Sequence, residues 1–195
     1  MTNQRSAILD QVEDQGGAIF TSGAWNLNIV AVRSPAREAG KFDDRIHLVF
    51  RDGFGRWQDL AFPCTTDPGL YWLHRATDRG TAILKAGQYR GAYRIALHRG
   101  RYPALCQRKP VTVWRDKDRS DTLDHVAPTT GLYGINIHHA GTTDPDGVGD
   151  EVGPWSAGCC VLASLDDWAV FWSVVERSAE LYGDNFTFTL IEETQ

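Results

Sequence analysis

Short apolar alternations broken by glycine and proline constrain this chain more than any other feature. The clearest runs from Arg45 to Phe62. Ile46, Leu48 and Phe50 alternate with His47 and Val49, Arg51-Asp52-Gly53-Phe54-Gly55 turns, and Trp57 to Phe62 returns. That is a hairpin pattern, because a period of two sends successive side chains to opposite faces of a strand. Trp25, Leu27 and Ile29, followed by Val30 and Val32, read as another strand, ended by Ser34-Pro35. Gly80 to Leu84, Tyr89 to His98, Val111 to Trp114 and Phe186 to Ile191 continue the series. In the second of these, Tyr89, Tyr93, Ile95 and Leu97 share one face, and Arg90, Arg94 and His98 share the other. Cys64 to Trp72, punctuated by Pro68-Gly69, reads as a loop entering a short strand.

Two segments carry helix signals instead. Ser6 to Gln15 has an N-cap serine and ends at Gly16-Gly17. A longer helix starts at Ser164, passes Asp166-Asp167 and reaches about Leu181, with Gly183 beyond its end. The sum is a mainly β fold with one or two helices. No repeat, low-complexity tract or linker divides the 195 residues, which suit a single domain over 1–195.

Hydrophobic residues make up 42% of the chain and there are seven tryptophans, enough for a packed aromatic interior. A net charge of −5 argues against nonspecific nucleic-acid binding, which needs clustered positive charge to neutralise phosphates. No run approaches the roughly 18 apolar residues of a membrane-spanning helix, so no membrane span is expected. The opening MTNQRSAILDQVEDQGG has acidic residues where a signal peptide has its apolar segment, so no signal peptide is read there.

The four cysteines, at 64, 106, 159 and 160, include no C-x-x-C pair, and the ring that Cys159 and Cys160 would close is strained. A reduced scaffold follows. Asp116-x-Asp118-x-Ser120-x-x-x-Asp124 resembles the start of a calcium loop but lacks the central Gly and closing Glu, so an acidic turn is favoured. The spacing of Cys64, Cys106, His47 and His74 offers no support for zinc. No metal or organic cofactor is expected.

The stretch that carries chemistry is Gly134 to Leu162, GINIHHAGTTDPDGVGDEVGPWSAGCCVL. It reads as an apolar strand delivering His138 and His139, a polar loop from Gly141 to Pro154, and a turn of small residues before Cys159. A thiolate is the reactive form of cysteine, so a nucleophile needs a base nearby, which either histidine can supply. Small residues before it permit a tight turn whose N–H groups can face an oxyanion. The competing reading is a buried structural cysteine. Cys160, following directly, should point the other way into the core.

These residues resemble the L,D-transpeptidase catalytic domain, the YkuD family. Ile135-Asn136-Ile137-His138 matches that family's strand and catalytic histidine, and Ser156-Ala157-Gly158-Cys159 matches its nucleophile turn. GTAILKAGQYRGAYRIALHRGRYPAL looks like the region preceding the motif in a divergent branch. The matching core is about 80–195, while residues 1–75 carry a weaker likeness. His139 stands where the family commonly has Gly, Ala157 where it has His or Lys, and Cys160-Val161 where it has an apolar residue and then Arg or Asn.

The resemblance implies a YkuD-like β-sandwich or barrel with a catalytic loop, with Cys159 as nucleophile and His138 as base, oriented by a backbone carbonyl. It implies a cross-linking reaction on peptidoglycan stem peptides through a thioester, and hence a periplasmic or cell-wall location. Backbone groups of Ala157 to Cys159 would meet the oxyanion, and His139 would support the loop. Ser156 is either a donor near the site or a turn former, and Trp155 either walls the cleft or is buried. Arg90, Arg94 and His98 could bind stem carboxylates or form a solvated face. The alternatives are a peptidoglycan hydrolase on the same scaffold and a catalytically idle wall-binding module.

Overall fold

The computed structural model describes residues 4–141 and 151–193. The chain order is α1 (Ala7–Asp14), β1 (Asn28–Arg33), β2 (Asp44–Arg51), β3 (Trp57–Thr65), α2 (Leu70–Leu73), β4 (Thr81–Leu84), β5 (Gly87–His98), β6 (Tyr102–Gln107), β7 (Val111–Asp116), β8 (Thr129–Gly131), β9 (Ile137–His139), β10 (Cys160–Leu162), α3 (Leu165–Tyr182) and β11 (Phe186–Glu192). The fold is mainly β, as its short alternations require. Eight strands close a barrel in the order β1-β11-β5-β6-β9-β10-β3-β2, and β4-β7-β8 form a separate small sheet. Most barrel neighbours are antiparallel, but β1 with β11 and β9 with β10 run parallel. No helix among the described residues is long and apolar enough to cross a membrane.

The hairpin β2–β3 pairs from Asp44↔Cys64 to Arg51↔Trp57. Its turn is held by Asp52, whose Oδ1 accepts from the N–H groups of Phe54 and Arg56. Ile46, Leu48 and Phe50 face inward, joining Ile29, Ile137, Cys160, Leu162 and Phe188 in one core. Each such side chain contributes roughly 1.5–3 kcal/mol by leaving water.

Helix α3 fills one side of that core with Trp168, Phe171, Val174 and Val175. Ser164 Oγ accepts from Asp167 N–H at its start, and Gly183, at φ 81°, ends it. Ser6 caps α1 through Ile8 N–H. Both helices begin where their caps place them. Because β1, β2 and β3 are barrel strands, residues before Thr65 share the core with those after Thr81.

Four local expectations change. Cys64 to Trp72 does not enter a strand: Trp72 and Leu73 N–H both bond Gly69 O, making α2. Trp72 Nε1–H also donates to Pro154 O, and Gly69 N–H donates to Ser156 O. Distant partners thus satisfy this segment, so the turn wins over the ladder. The strand expected from Trp25 starts only at Asn28, because Trp25 takes a left-handed φ of 64° and stacks on Phe50 with centroids 4.9 Å apart. In β5 the register with β11 shifts between Tyr89 and Tyr93, around Gly91 at φ 55°. Leu97, expected on the apolar face, is exposed, while His98 on the other face is buried. The strand expected from Gly134 is paired only over β9, so it is shorter than its alternation suggests, and both histidines stand at its end as expected. Residues 142–150 of the polar loop lie outside the described residues.

A candidate active site between β9 and β10

Parallel pairing of β9 with β10 sets Cys160 beside Ile137, Val161 beside His138 and Leu162 beside His139. Alternation then sorts the side chains. Ile135, Ile137, Cys160 and Leu162 enter the barrel core. Asn136, His138 and Cys159 take the opposite face, where Cys159 packs with Ala140, Val161 and Phe42. Cys160 is therefore the inward residue and Cys159 the outward one.

Cys159 is only 8% exposed but lines a cavity of about 270 Å³ with His98, Arg99, Tyr133, Trp155 and Ala157. Its Sγ accepts from Asn136 N–H and donates to Gly134 O, both at 3.4 Å. Burial pushes the thiol up to about 11, against the smaller opposing effect of the Asn136 bond. A donor bond to a carbonyl and a raised pKa agree that the resting group is a neutral thiol.

The turn before Cys159 is built by Ser156. Its Oγ donates to Cys159 O at 2.9 Å and accepts from Gly158 N–H at 3.1 Å. Ser156 is fully buried and forms the turn rather than facing the cavity. Gly158 has φ 113°, and a Cβ there would overlap the Ala82 carbonyl oxygen, so only glycine fits. Its N–H is committed to Ser156 and that of Cys160 to Asn136 O. This corrects the expectation that Gly158 offers an oxyanion donor. Within the turn, the N–H groups of Ala157 and Cys159 are left for that task.

His138 is not among the residues lining the cavity and is almost wholly buried. Its Nδ1 is 2.9 Å from His139 O. A carbonyl can only accept, so Nδ1 carries the proton and Nε2 keeps its lone pair. Nε2 is buried and has no hydrogen-bond partner among the described residues. Burial, with the neighbouring His98, holds the imidazole neutral by lowering its pKa to about 3. No hydrogen bond joins His138 to Cys159 in this resting arrangement; the thiol's partners are backbone groups.

The side chains gathered around His138 come from distant strands. His98 lies against it with ring centroids 4.2 Å apart and planes tilted by 34°, and Tyr102 O–H lies 3.2 Å from its Nδ1. Asn136 Nδ2 is 3.1 Å from His98 Nδ1, and Asn136 Oδ1 accepts from Gln107 N–H. Gln107 Oε1 in turn accepts from Tyr133 and Ile135 N–H, fixing the segment that leads into β9. Burial, then the charge of Arg99, lowers the pKa of His98.

Of the residues singled out from the sequence, Cys159, Ala157, Trp155 and His98 line one cavity. Trp155 is 40% exposed and walls it, with its ring against Gly141. His139 supplies the carbonyl that orients His138, and its ring packs on Trp168 and Tyr102. Arg90 and Arg94 are exposed on β5 and do not line the cavity; Arg99 in the following turn does. Tyr102 and Gln107 were not singled out, and Asn136 appeared only as a member of the strand Ile135-Asn136-Ile137-His138. The one available hint was that Asn136 shares a strand face with His138.

The acidic turn directs its carboxylates inward on itself. Asp116 Oδ2 accepts from Asp124 N–H and Asp118 Oδ1 from Ser120 N–H, both at 2.8 Å. His47 pairs with Asp59 and His74 with Asp121, well apart from Cys64 in the core. No protein-family model matches the chain, and no match is found among curated proteins.

Proposed function

We propose that this protein is a cysteine acyltransferase of the L,D-transpeptidase type, acting on peptidoglycan stem peptides in the periplasm or cell wall. The observation that carries the reading is the pairing on one face of β9 and β10: a thiol at a cavity, and a histidine whose Nδ1 is held by a carbonyl while Nε2 has no hydrogen-bond partner among the described residues. That arrangement suits a general base and nucleophile. Cys159 S–H gives its proton to His138 Nε2 as the sulfur bonds the carbonyl carbon of an L-to-D peptide bond. The carbonyl π pair moves to oxygen, then returns as the C–N bond breaks, and the amine leaves with the proton from His138. An amine of a second stem resolves the thioester in the same way, giving a cross-link.

Because burial keeps both groups neutral at rest, the proton moves only as attack proceeds. The thiol must first leave Asn136 and Gly134. The test is intact mass after incubation with purified muropeptides, wild type against Cys159→Ala, with product analysis. A transient mass gain on wild type alone, with cross-linked dimers, is expected. Cleaved monomers without dimers would make the protein a hydrolase. Binding that survives Cys159→Ala, without any product from wild type, would make it a binding module.

A further inference from the structure

Within the nucleophile turn, the oxyanion of this reaction can draw only on the N–H groups of Ala157 and Cys159. Gly158 N–H and Cys160 N–H are already committed. A buried side chain that lines the same cavity, His98, carries a further N–H. Its protonation pattern follows from hydrogen bonding alone. Asn136 Oδ1 accepts from Gln107 N–H at 2.9 Å, so the amide's NH₂ is the end facing His98. An NH₂ group donates, so His98 Nδ1 accepts and Nε2 carries the hydrogen. His98 is thus the opposite tautomer to the His138 ring lying against it. One imidazole presents a lone pair and the other a proton.

We propose that His98 is a catalytic hydrogen-bond donor, whose Nε2–H meets the carbonyl oxygen of the acyl group while His138 takes the thiol proton. This rests on the reading of Cys159 as an acyl-transfer nucleophile. As sulfur bonds the carbonyl carbon, the π pair passes to oxygen and is stabilised by Nε2–H, which keeps its proton throughout. The pair re-forms C=O when the leaving group departs, protonated by His138. His98 cannot exchange these roles at neutral pH: its Nδ1 lone pair is occupied by Asn136, and its Nε2 has none free. Stacking on Tyr102 and the tilted contact with His138 hold the ring in place.

Two reactions of Cys159 separate this role from a structural one. Acylation by p-nitrophenyl acetate builds an oxyanion; alkylation by iodoacetamide does not. His98→Phe keeps an aromatic ring in the stack and removes the N–H, while His98→Gln keeps a donor. His98→Phe should slow acylation by about 100-fold, the usual loss for one oxyanion donor, with alkylation unchanged. His98→Gln should recover part of the loss, and His138→Ala should slow both reactions. Thermal unfolding of each variant checks that it is folded, and His98→Ala serves if the phenylalanine does not fit. Equal slowing of both reactions by His98→Phe, or of neither, overturns the role. Acylation of wild type by the ester but not by muropeptides would overturn the proposed substrate alone. Alkylation of wild type without any acylation would overturn the acyl-transfer reading and the role of His98 with it.

Discussion

Two buried polar clusters in this barrel are built on opposite principles. Arg33, at the end of β1, gives Nε–H to Thr66 Oγ1, two bonds from NH1 to Leu84 O and Glu192, and one from NH2 to Thr66 O. Asp44 accepts from Ser34 N–H, Thr66 N–H and the Thr66 hydroxyl. The cluster ties β1, β2, β3, β4 and β11 together. Its one loose end is Asp67 Oδ1, 3.0 Å from Arg33 Nε, whose only N–H is aimed at Thr66. Around His138 the balance is reversed: among the described residues Nε2 has no hydrogen-bond partner, and no carboxylate bonds either histidine. Buried polar groups ordinarily find partners because an unpaired one costs roughly 1–3 kcal/mol. The densely bonded cluster therefore holds strands in place, and the sparsely bonded one keeps an atom available for chemistry.

The sharpest way to break the comparison is Arg33→Met. Removing the cation leaves the buried Asp44 and Asp67 without a balancing charge, and a loss of about 3–5 kcal/mol is expected in urea unfolding. Ester turnover per folded molecule should stay as in wild type. A variant as stable as wild type would mean the cluster does not hold the barrel.

Gly158→Ala acts on the other cluster through the backbone. At φ 113° and against Ala82 O, the added carbon should cost about 1–3 kcal/mol. It should also displace Cys159 and lower ester acylation, measured beside the unfolding curve. Unchanged stability would show that the turn accommodates a side chain.

The smallest effect is pH dependence, where the two clusters oppose each other. Unfolded, His138 takes a proton below about 6.5; folded, not until about 3. The unfolded chain binds more protons in that window, so His138 makes stability fall as pH drops through it. Burial raises Asp67 from 3.8 to about 7 despite Arg33, so the folded chain holds a proton the unfolded one releases. Asp67 makes stability fall as pH rises from 3.8 to about 7. Each slope is at most about 1.4 kcal/mol per pH unit, and in wild type they largely cancel. Asp67→Asn should expose the loss on the acid side, and His138→Gln the loss on the neutral side. Parallel curves for wild type and both variants would show that neither burial is coupled to folding.

Much of the fold could be read locally. The hairpin of Ile46 to Phe62 and the helix between Ser164 and Gly183 have both their periodicity and their end signals in adjacent residues. The short strand expected after the loop from Cys64 is helix α2 instead, because the segment's partners, Pro154 O and Ser156 O, are remote in sequence. The opposite directions of Cys159 and Cys160 were legible, since adjacent residues in extended chain must diverge. Arg90 and Arg94 share a face with His98, but period two says which face a residue takes and not how far along the strand the cavity lies.

By itself, the sequence determined that the chain would form short strands with capped helices, and that a histidine strand and a cysteine turn would flank one loop. Those properties follow from alternation and capping, which act over a few residues. Only the tertiary structure decided that β9 and β10 pair in parallel, and that His98, Tyr102 and Gln107 converge on Asn136 and His138. Barrel closure sets those contacts. Strands distant in sequence become neighbours through register, and no local pattern encodes which side chain waits on the strand opposite.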